Sequence, residues 1–290
     1  MRTGGKNNMD ITKVIATELG IRTSQVEAVI KLIDEGNTIP FIARYRKEAH
    51  GGLNDEVLRN LDERLTYLRN LEERKEAVLK SIEEQEKLTP ELQKQIEEAM
   101  TLVAVEDLYR PYKQKRRTRA TIAKEKGLEG LANIIWLQMT KQSIEEEAKA
   151  YLNEEKGVTS VEDAIQGAKD ILAETVSDQA QYRTWIRNIT WKEGILTSTA
   201  KDPEAESVYE MYYDFQEGVA KMAGYRILAV NRGEKEKILT VKLQAPEEKI
   251  LNYLEKQVIV KDNPITTPIL KDICEDSYHR LIADSIERDI

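Results

Sequence analysis

Between Asn54 and Glu86 the sequence contains neither proline nor glycine, and Leu58, Leu61, Leu65, Leu68, Leu71, Val78 and Ile82 recur at three- and four-residue spacing. That spacing places all seven on one face of a helix, with Asn54 suited to cap it. At 1.5 Å per residue the helix would run roughly 45 Å, long enough to act as a spine. Its other faces are mostly charged, and the heptads are not sustained. The stripe is therefore expected to pack against helices of the same chain, not to form a coiled-coil dimer. Few prolines (7) and glycines (14) in 290 residues favour long helices elsewhere too, and the chain is long enough to bury a real core in one large domain or two ordinary ones.

Other stretches read in the same way. Asp10 is placed to cap a short helix carrying Ile11, Val14, Ile15 and Leu19 and stopped at Gly20. Thr23 or Ser24 would cap a second, with Val26, Val29, Ile30 and Ile33 buried and Gly36 as its end. The pair has helix-turn-helix spacing, but residues 22–37 carry two bases against three acids, which favours a packing unit over a DNA reader. Pro40 suits a helix first turn, and Gly51-Gly52 breaks the apolar-then-basic segment Thr38 to Glu48. Thr89-Pro90 opens a helix with Leu92, Ile96 and Ala99 buried, and Gly127 and Gly130 frame one through Leu131, Ile134, Ile135 and Trp136. Ser143 with Glu146 and Ser160 with Asp163 resemble capping boxes. The second is expected to open one long helix from Val161 past Val176, with Trp185 and Ile186 near its end. Ile195 to Thr199, Arg226 to Val230 and Ile238 to Leu243 are β-prone, although Arg226 to Leu239 reads equally as helix. Helices start at Pro246 (Ile250, Leu251, Leu254, Val258) and at Pro268 (Ile269, Ile273, Leu281, Ile282, Ile286). The fold class expected is mainly α, an elongated multi-helix array with a helix-turn-helix-like N-terminus and at most one small β element.

Charge singles out one stretch. The chain holds 44 Lys and Arg against 52 Asp and Glu, a net charge of −8, yet Lys113, Lys115, Arg116, Arg117, Arg119, Lys124 and Lys126 stand together with only Glu125 among them. A basic island on an acidic chain either seeks an anion or is neutralised at home. Tyr109 and Tyr112 flank Pro111 just before it, so aromatic faces would lie beside the charge, an arrangement suited to single-stranded nucleic acid. Internal pairing of Arg110, Arg116, Arg117 and Arg119 with acidic helices is the competing reading.

Chemistry is sparse elsewhere. His50 and His279 are the two histidines, and neither has metal-ligand spacing around it. No phosphate-binding or dinucleotide fingerprint occurs. Neither a catalytic residue nor a metal or cofactor is expected. Arg232-Gly233-Glu234-Lys235-Glu236 is the other polar cluster, read as a solvated turn with local ion pairs or as a binding feature. Cys274, the single cysteine, has no internal disulfide partner and suits a buried apolar position in a reducing cytosol. No apolar run approaches a membrane span and no signal sequence opens the chain, so a cytoplasmic location off the membrane is expected. Residues 1–8 read as a disordered leader, an upstream start before Met9 or a cloning remnant.

Three blocks resemble the Tex family of bacterial transcription accessory proteins: IPFIARYRKE at Ile39 to Glu48 followed by Gly51-Gly52-Leu53, LYRPYKQKRRTRATIAKEKGLEGL at Leu108 to Leu131, and AVNRGEKEKIL at Ala229 to Leu239. They stand in the family's order, and the resemblance covers Met9 to the C-terminus. His50 stands where the family pattern usually has threonine, which argues further against a catalytic histidine. The resemblance implies a helical domain over 9–200 and a small β and helical segment over 201–290. In Tex proteins that segment leads into an RNase-H-like domain, helix-hairpin-helix segments and an S1-type RNA-binding domain. Because the final helical pattern reaches Ile290 without a stop signal, a fragment ending before those domains is expected. Two functions follow. One is a nucleic-acid-associated module in which Lys113, Lys115, Arg116, Arg117 and Arg119 contact RNA or DNA phosphates and Tyr109 and Tyr112 stack. The other is a non-catalytic scaffold that docks downstream domains and protein partners such as the transcription machinery.

Overall fold

The computed structural model describes residues 9–290, and the leader expected at 1–8 lies outside them. The described chain is mainly helical with one three-stranded sheet. It packs as two units that divide between Tyr112 and Lys113.

The first unit contains α1 (Ile11–Leu19), α2 (Thr23–Asp34), α3 (Ile39–Tyr45), α4 (Lys47–His50), α5 (Asp55–Glu84), α6 (Pro90–Glu98) and α7 (Leu102–Tyr109). The Asp10 carboxylate accepts from Lys13 N–H at 3.1 Å, and Gly20 ends α1 in the left-handed conformation at φ 65°, as the sequence predicts. At α2 the cap differs from expectation. Thr23 is already helical, and the amide oxygen of Gln25 accepts from the backbone N–H of Arg22, so a side chain one turn inside the helix serves the orphan donor.

α5 is the spine. All seven residues of its predicted stripe are at most 2% exposed, and each fully buried Leu, Val or Ile contributes about 1.5–3 kcal/mol of gross burial energy. Lys75 continues the stripe unexpectedly. It is 3% exposed, and Nζ donates to Glu72 Oε1 at 2.9 Å and to the Glu97 carbonyl at 2.8 Å. That carbonyl sits in the last turn of α6, where helix acceptors lack intrahelical donors. Three arginines on α5 then fasten three other helices by paired hydrogen bonds: Arg64 to Glu18 of α1, Arg69 to Asp34 of α2 and Arg74 to Glu106 of α7.

The second unit begins with α8 (Arg119–Glu125), α9 (Glu129–Leu137), α10 (Ile144–Lys149), α11 (Val161–Ser177) and α12 (Ala180–Glu193). Strand β1 (Ile195–Ala200), β2 (Asp214–Gly218), α13 (Gly224–Lys235), β3 (Leu239–Gln244), α14 (Glu247–Val258), α15 (Thr267–Asp276) and α16 (Ala283–Asp289) complete it. The sheet order is β2-β1-β3, antiparallel throughout, with Leu196 opposite Leu243 and Ser198 opposite Val241. Of the two readings of Arg226 to Leu239, helix holds as far as Lys235 and strand begins at Leu239. β2 carried no sequence signal.

Within the second unit β1 pairs with β3, one apolar core draws on residues from Ala120 to Ile186 and from Ile250 to Ile286, and another lies around the sheet with Tyr209, Tyr212, Met222, Val230 and Leu239; the first unit has its own core, from Ile15 to Val105. The long helix expected from Val161 to beyond Ile186 is two helices. Arg183, fully buried on α12, donates to the Ser177 carbonyl at 2.5 Å and to Ser177 Oγ at 2.8 Å, supplying the donor that the last carbonyl of α11 lacks within its own helix. The same guanidinium donates to the Leu281 carbonyl at 3.0 Å and to Ser285 Oγ at 2.7 Å. Between α15 and α16 it thereby meets a π-helical turn, Ser277–Ile282, where a carbonyl released from the regular ladder needs an outside donor. Trp185 on α12 stacks on Tyr253 of α14 with ring centroids 3.9 Å apart.

α8 and α11 approach closely at Gly167, where a Cβ would lie 2.3 Å from Leu128 Cδ1 and 3.3 Å from Ala123 Cβ. Leu128 is itself buried and has little room to turn away. Gly167→Val should lower stability by about 1–3 kcal/mol, read as a fall in melting temperature. Burial pushes the Cys274 thiol up to about 12. The native protein should therefore react with an aromatic disulfide reagent only after denaturation, checked by absorbance of the released thiolate. Hydrogen bonds from Arg64 and Arg69 hold the Glu18 and Asp34 carboxyls below their ordinary range. Their contribution is present above the unfolded carboxylate pKa of about 4 and is lost as pH falls through the lower folded values. Urea midpoints should hold between pH 5 and 8 and drop below about pH 4, with a shallower drop in an Arg64→Gln/Arg69→Gln variant.

Candidate nucleic-acid interface

The stretch from Tyr109 to Lys126 is shared between the two units, its tyrosines and Arg110 in the first and the basic residues from Lys113 onward in the second. Tyr109 ends α7. Its hydroxyl pairs with Ser81 Oγ at 2.9 Å, and the Arg74 guanidinium lies over its ring at 5.4 Å. Tyr112 is half-buried against the first unit's core, and its carbonyl accepts from Gln85 Nε2 at 2.9 Å. Both rings are thus engaged in packing within that unit.

The five basic residues singled out by sequence meet different surroundings. Lys115 is half-buried and paired with Glu174 Oε1 at 3.3 Å and with Asp178, at the end of α11. Arg117 reaches Glu125 at 3.6 Å, with both side chains largely exposed, a pair worth little in water. Lys113 and Arg116 are exposed, and no carboxylate among the described residues lies within 4 Å of either. Arg119, the first residue of α8, lines a depression of about 330 Å³ with Gln166, Lys169, Asp272, Ile273 and Asp276. That depression is internally balanced. Lys169 pairs with Asp272 at 3.2 Å, and Arg280 pairs with Asp276 at 2.7 Å and Asp170 at 3.8 Å. Hydrogen bonding from Arg280 holds the Asp276 carboxyl below its usual range, with smaller help from Arg119 and Lys169.

The cap of α8 fixes where this segment turns. Thr118 Oγ1 accepts from Thr121 N–H at 3.1 Å, and Thr121 Oγ1 accepts from Thr118 N–H at 2.7 Å, a reciprocal arrangement that binds Arg116 and Arg117 just outside the helix. Nothing in the island's composition distinguished Lys115, which is neutralised, from its neighbour Arg116. Only the fold brings Glu174 and Asp178 to one and not the other.

The remaining polar groups have structural surroundings. His50 is fully buried. Leu53 N–H donates to its Nδ1 at 3.0 Å, so Nε2 carries the proton and donates to the Ile42 carbonyl at 3.2 Å. His279, half exposed, pairs with Glu247 at 3.0 Å. Arg232 to Glu236 is the last turn of α13 and the residue after it, with Gly233 packed against Leu239 and Tyr209 and the charged side chains exposed. Among the described residues, no group of three His, Cys, Asp or Glu side chains is arranged to hold a metal ion, and no helix is long and apolar enough to cross a membrane.

Comparison with known proteins bears on the whole chain. Residues 9–83 match the Tex-like protein N-terminal domain, and residues 139–289 match the Tex central region-like family. The protein is 48% identical over 279 residues to the uncharacterized protein YdcI of Bacillus subtilis strain 168, covering 95% of this chain and 39% of that one. It is 47% identical over 238 residues to the transcriptional accessory protein Tex of Neisseria gonorrhoeae, covering 81% of this chain and 31% of that one. A human relative, S1 RNA-binding domain-containing protein 1, is 28% identical over 246 residues, covering 81% of this chain and 24% of its own length. The chain thus spans from about a quarter to two fifths of these relatives. With more than half of its residues inside the matched Tex regions, this chain belongs to the Tex family.

Proposed function

We propose that the chain is the helical N-terminal module of a Tex-type transcription accessory protein and that it contacts RNA or DNA phosphates through Lys113, Arg116 and Arg117, with Arg119 at the edge of the same stretch. The observation that carries this reading is the exposure of Lys113 and Arg116 without acidic partners on a chain of net charge −8. Cations left unpaired amid so many carboxylates suit a polyanion. The printed names of two relatives, a transcriptional accessory protein and an S1 RNA-binding domain-containing protein, support the same direction. The role proposed is non-catalytic, in keeping with the structural surroundings of His50, His279 and Cys274.

A scaffold that docks other domains and proteins of the transcription machinery is the second reading. Lys115 favours it, because its ammonium is consumed between Glu174 and Asp178. The readings assign different residues to different tasks, so they separate experimentally.

Fluorescence anisotropy with a single-stranded RNA and a duplex DNA, at low and moderate salt, tests the first. Binding should weaken steeply with salt, and a Lys113→Glu/Arg116→Glu/Arg117→Glu variant that keeps its circular dichroism should bind far more weakly. The salt slope of that variant for single strands should be smaller by about 2, since each lost phosphate contact removes roughly 0.7. Lys115→Glu, which sets three carboxylates together, should instead lower the melting temperature. Undiminished binding by the folded triple variant would remove the island from the interface, and no binding by the unaltered protein at low salt would favour the scaffold.

A further inference from the structure

A second surface, on the first unit, combines aromatic faces with positive charge. α3 buries Ile42 and Ala43 and turns Phe41 and Tyr45 outward, 37% and 59% exposed. The two rings, four residues apart, lie with centroids 5.2 Å apart at a 45° tilt. Neither is among the residues of the unit's apolar core. The Arg46 guanidinium lies 5.7 Å from the Phe41 ring centre and that of Arg44 5.9 Å from the Tyr45 ring centre. An i,i+4 aromatic pair supports a helix by only about 0.2–0.5 kcal/mol, too little to account for two large rings held in water beside two arginines.

The charge around the rings has one sign. From Gly36 to Lys47 the sequence contains no acid and three bases, Arg44, Arg46 and Lys47, all exposed. The nearest carboxylate along the chain, Glu48, meets Arg46 at 3.8 Å with both side chains largely in solvent. On the other flank the exposed Glu35 lies six residues before Phe41, and Asp34 is held by Arg69. Arg22 adds a further cation, its Nη2 lying beside Gly51 at the turn that ends α4. The two glycines there, at φ 68° and 80°, let the chain reverse next to that guanidinium.

We infer that the exposed face of α3, formed by Phe41 and Tyr45 with Arg44, Arg46 and Lys47, binds single-stranded nucleic acid, with bases stacked on the two rings and phosphates met by the arginines and Lys47. This extends the nucleic-acid reading to a surface remote in sequence from the basic island, and it rests on that reading only in the class of ligand. Stacking recognises the flat face of any base and tolerates any sequence. Duplex DNA hides those faces, so the surface discriminates strandedness, not base identity. The Arg44 and Arg46 guanidiniums already lie within 6 Å of the ring centres, so their charge stands where the phosphates flanking a stacked base would pass.

The test uses the full chain with three fluorescent probes of one sequence: single-stranded RNA, single-stranded DNA and duplex DNA. Tyr45→Ala, removing the more exposed ring, should weaken both single-stranded probes about tenfold with little change in salt slope, and should leave duplex affinity within twofold. Arg44→Gln/Arg46→Gln should weaken the single strands and reduce the salt slope. A 5-iodouridine-labelled RNA, cross-linked to the unaltered protein, should join the peptide containing Phe41 and Tyr45, a readout independent of any variant's folding. Unchanged single-strand affinity in Tyr45→Ala, or cross-linking confined to other peptides, overturns the inference and leaves the face free for a protein partner. If Tyr45→Ala weakens binding while the Lys113/Arg116/Arg117 reversal does not, this surface stands and the island reading falls; the converse result separates them the other way.

Discussion

A long helix with one apolar face is stable only when that face is covered, and the two units answer this demand around α5 and α11. Seven stripe residues on α5 commit α1, α2, α3, α6 and α7 to lie along it, because isolated short helices of seven to twelve residues do not persist in water. Paired arginine contacts to Glu18, Asp34 and Glu106 then fix which helix lies where. The hydrophobic term supplies the drive, and the partly exposed ion pairs supply register more than energy. Around α11 the same logic holds with small residues. Gly167 and Ala168 let α8 approach closely, and Ala164, Ile171 and Leu172 fill the rest.

Polar groups inside the second unit do a different task. Arg183 collects a carbonyl and a hydroxyl at the end of α11, a second carbonyl in the π-helical turn and a second hydroxyl on α16, tying segments about a hundred residues apart. Gln138, in a left-handed conformation at φ 55°, likewise donates to the Val258 carbonyl and accepts from the N–H groups of Val260 and Lys261. Each serves backbone groups that helix ends leave unpaired. Such ties make the helix ends definite, which is what positions the surface residues between them.

The surfaces that remain follow from what this packing consumes. Lys115 lies in the most basic stretch of the chain, yet it is held by Glu174 and Asp178, while Arg116 next to it meets solvent. Tyr109 and Tyr112 precede the island in sequence but pack in the first unit's core. Phe41 and Tyr45, which drew no attention as aromatics in the sequence, project from α3 with arginines over their rings. A charge or an aromatic becomes available to a ligand only when the fold has no other use for it.

The sequence by itself determined the helices that carry a period and a cap: α1 with Asp10 and Gly20, α5 with Asn54 and its leucine stripe, α6 with Thr89 and Pro90, and the strands β1 and β3. These rest on local spacing and on hydrogen bonds closed within four residues, so a short window contains their causes. The family resemblance was legible too, from three ordered blocks. Only the tertiary structure decided the break between α11 and α12, the π-helical turn, the burial of Lys75, the division at Tyr112 and which of the island's cations stay in solvent. Each of those depends on a partner about twenty to a hundred residues away, Glu97 for Lys75, Leu281 and Ser285 for Arg183, Asp178 for Lys115, and no local pattern encodes a contact whose two halves meet only after the chain has folded.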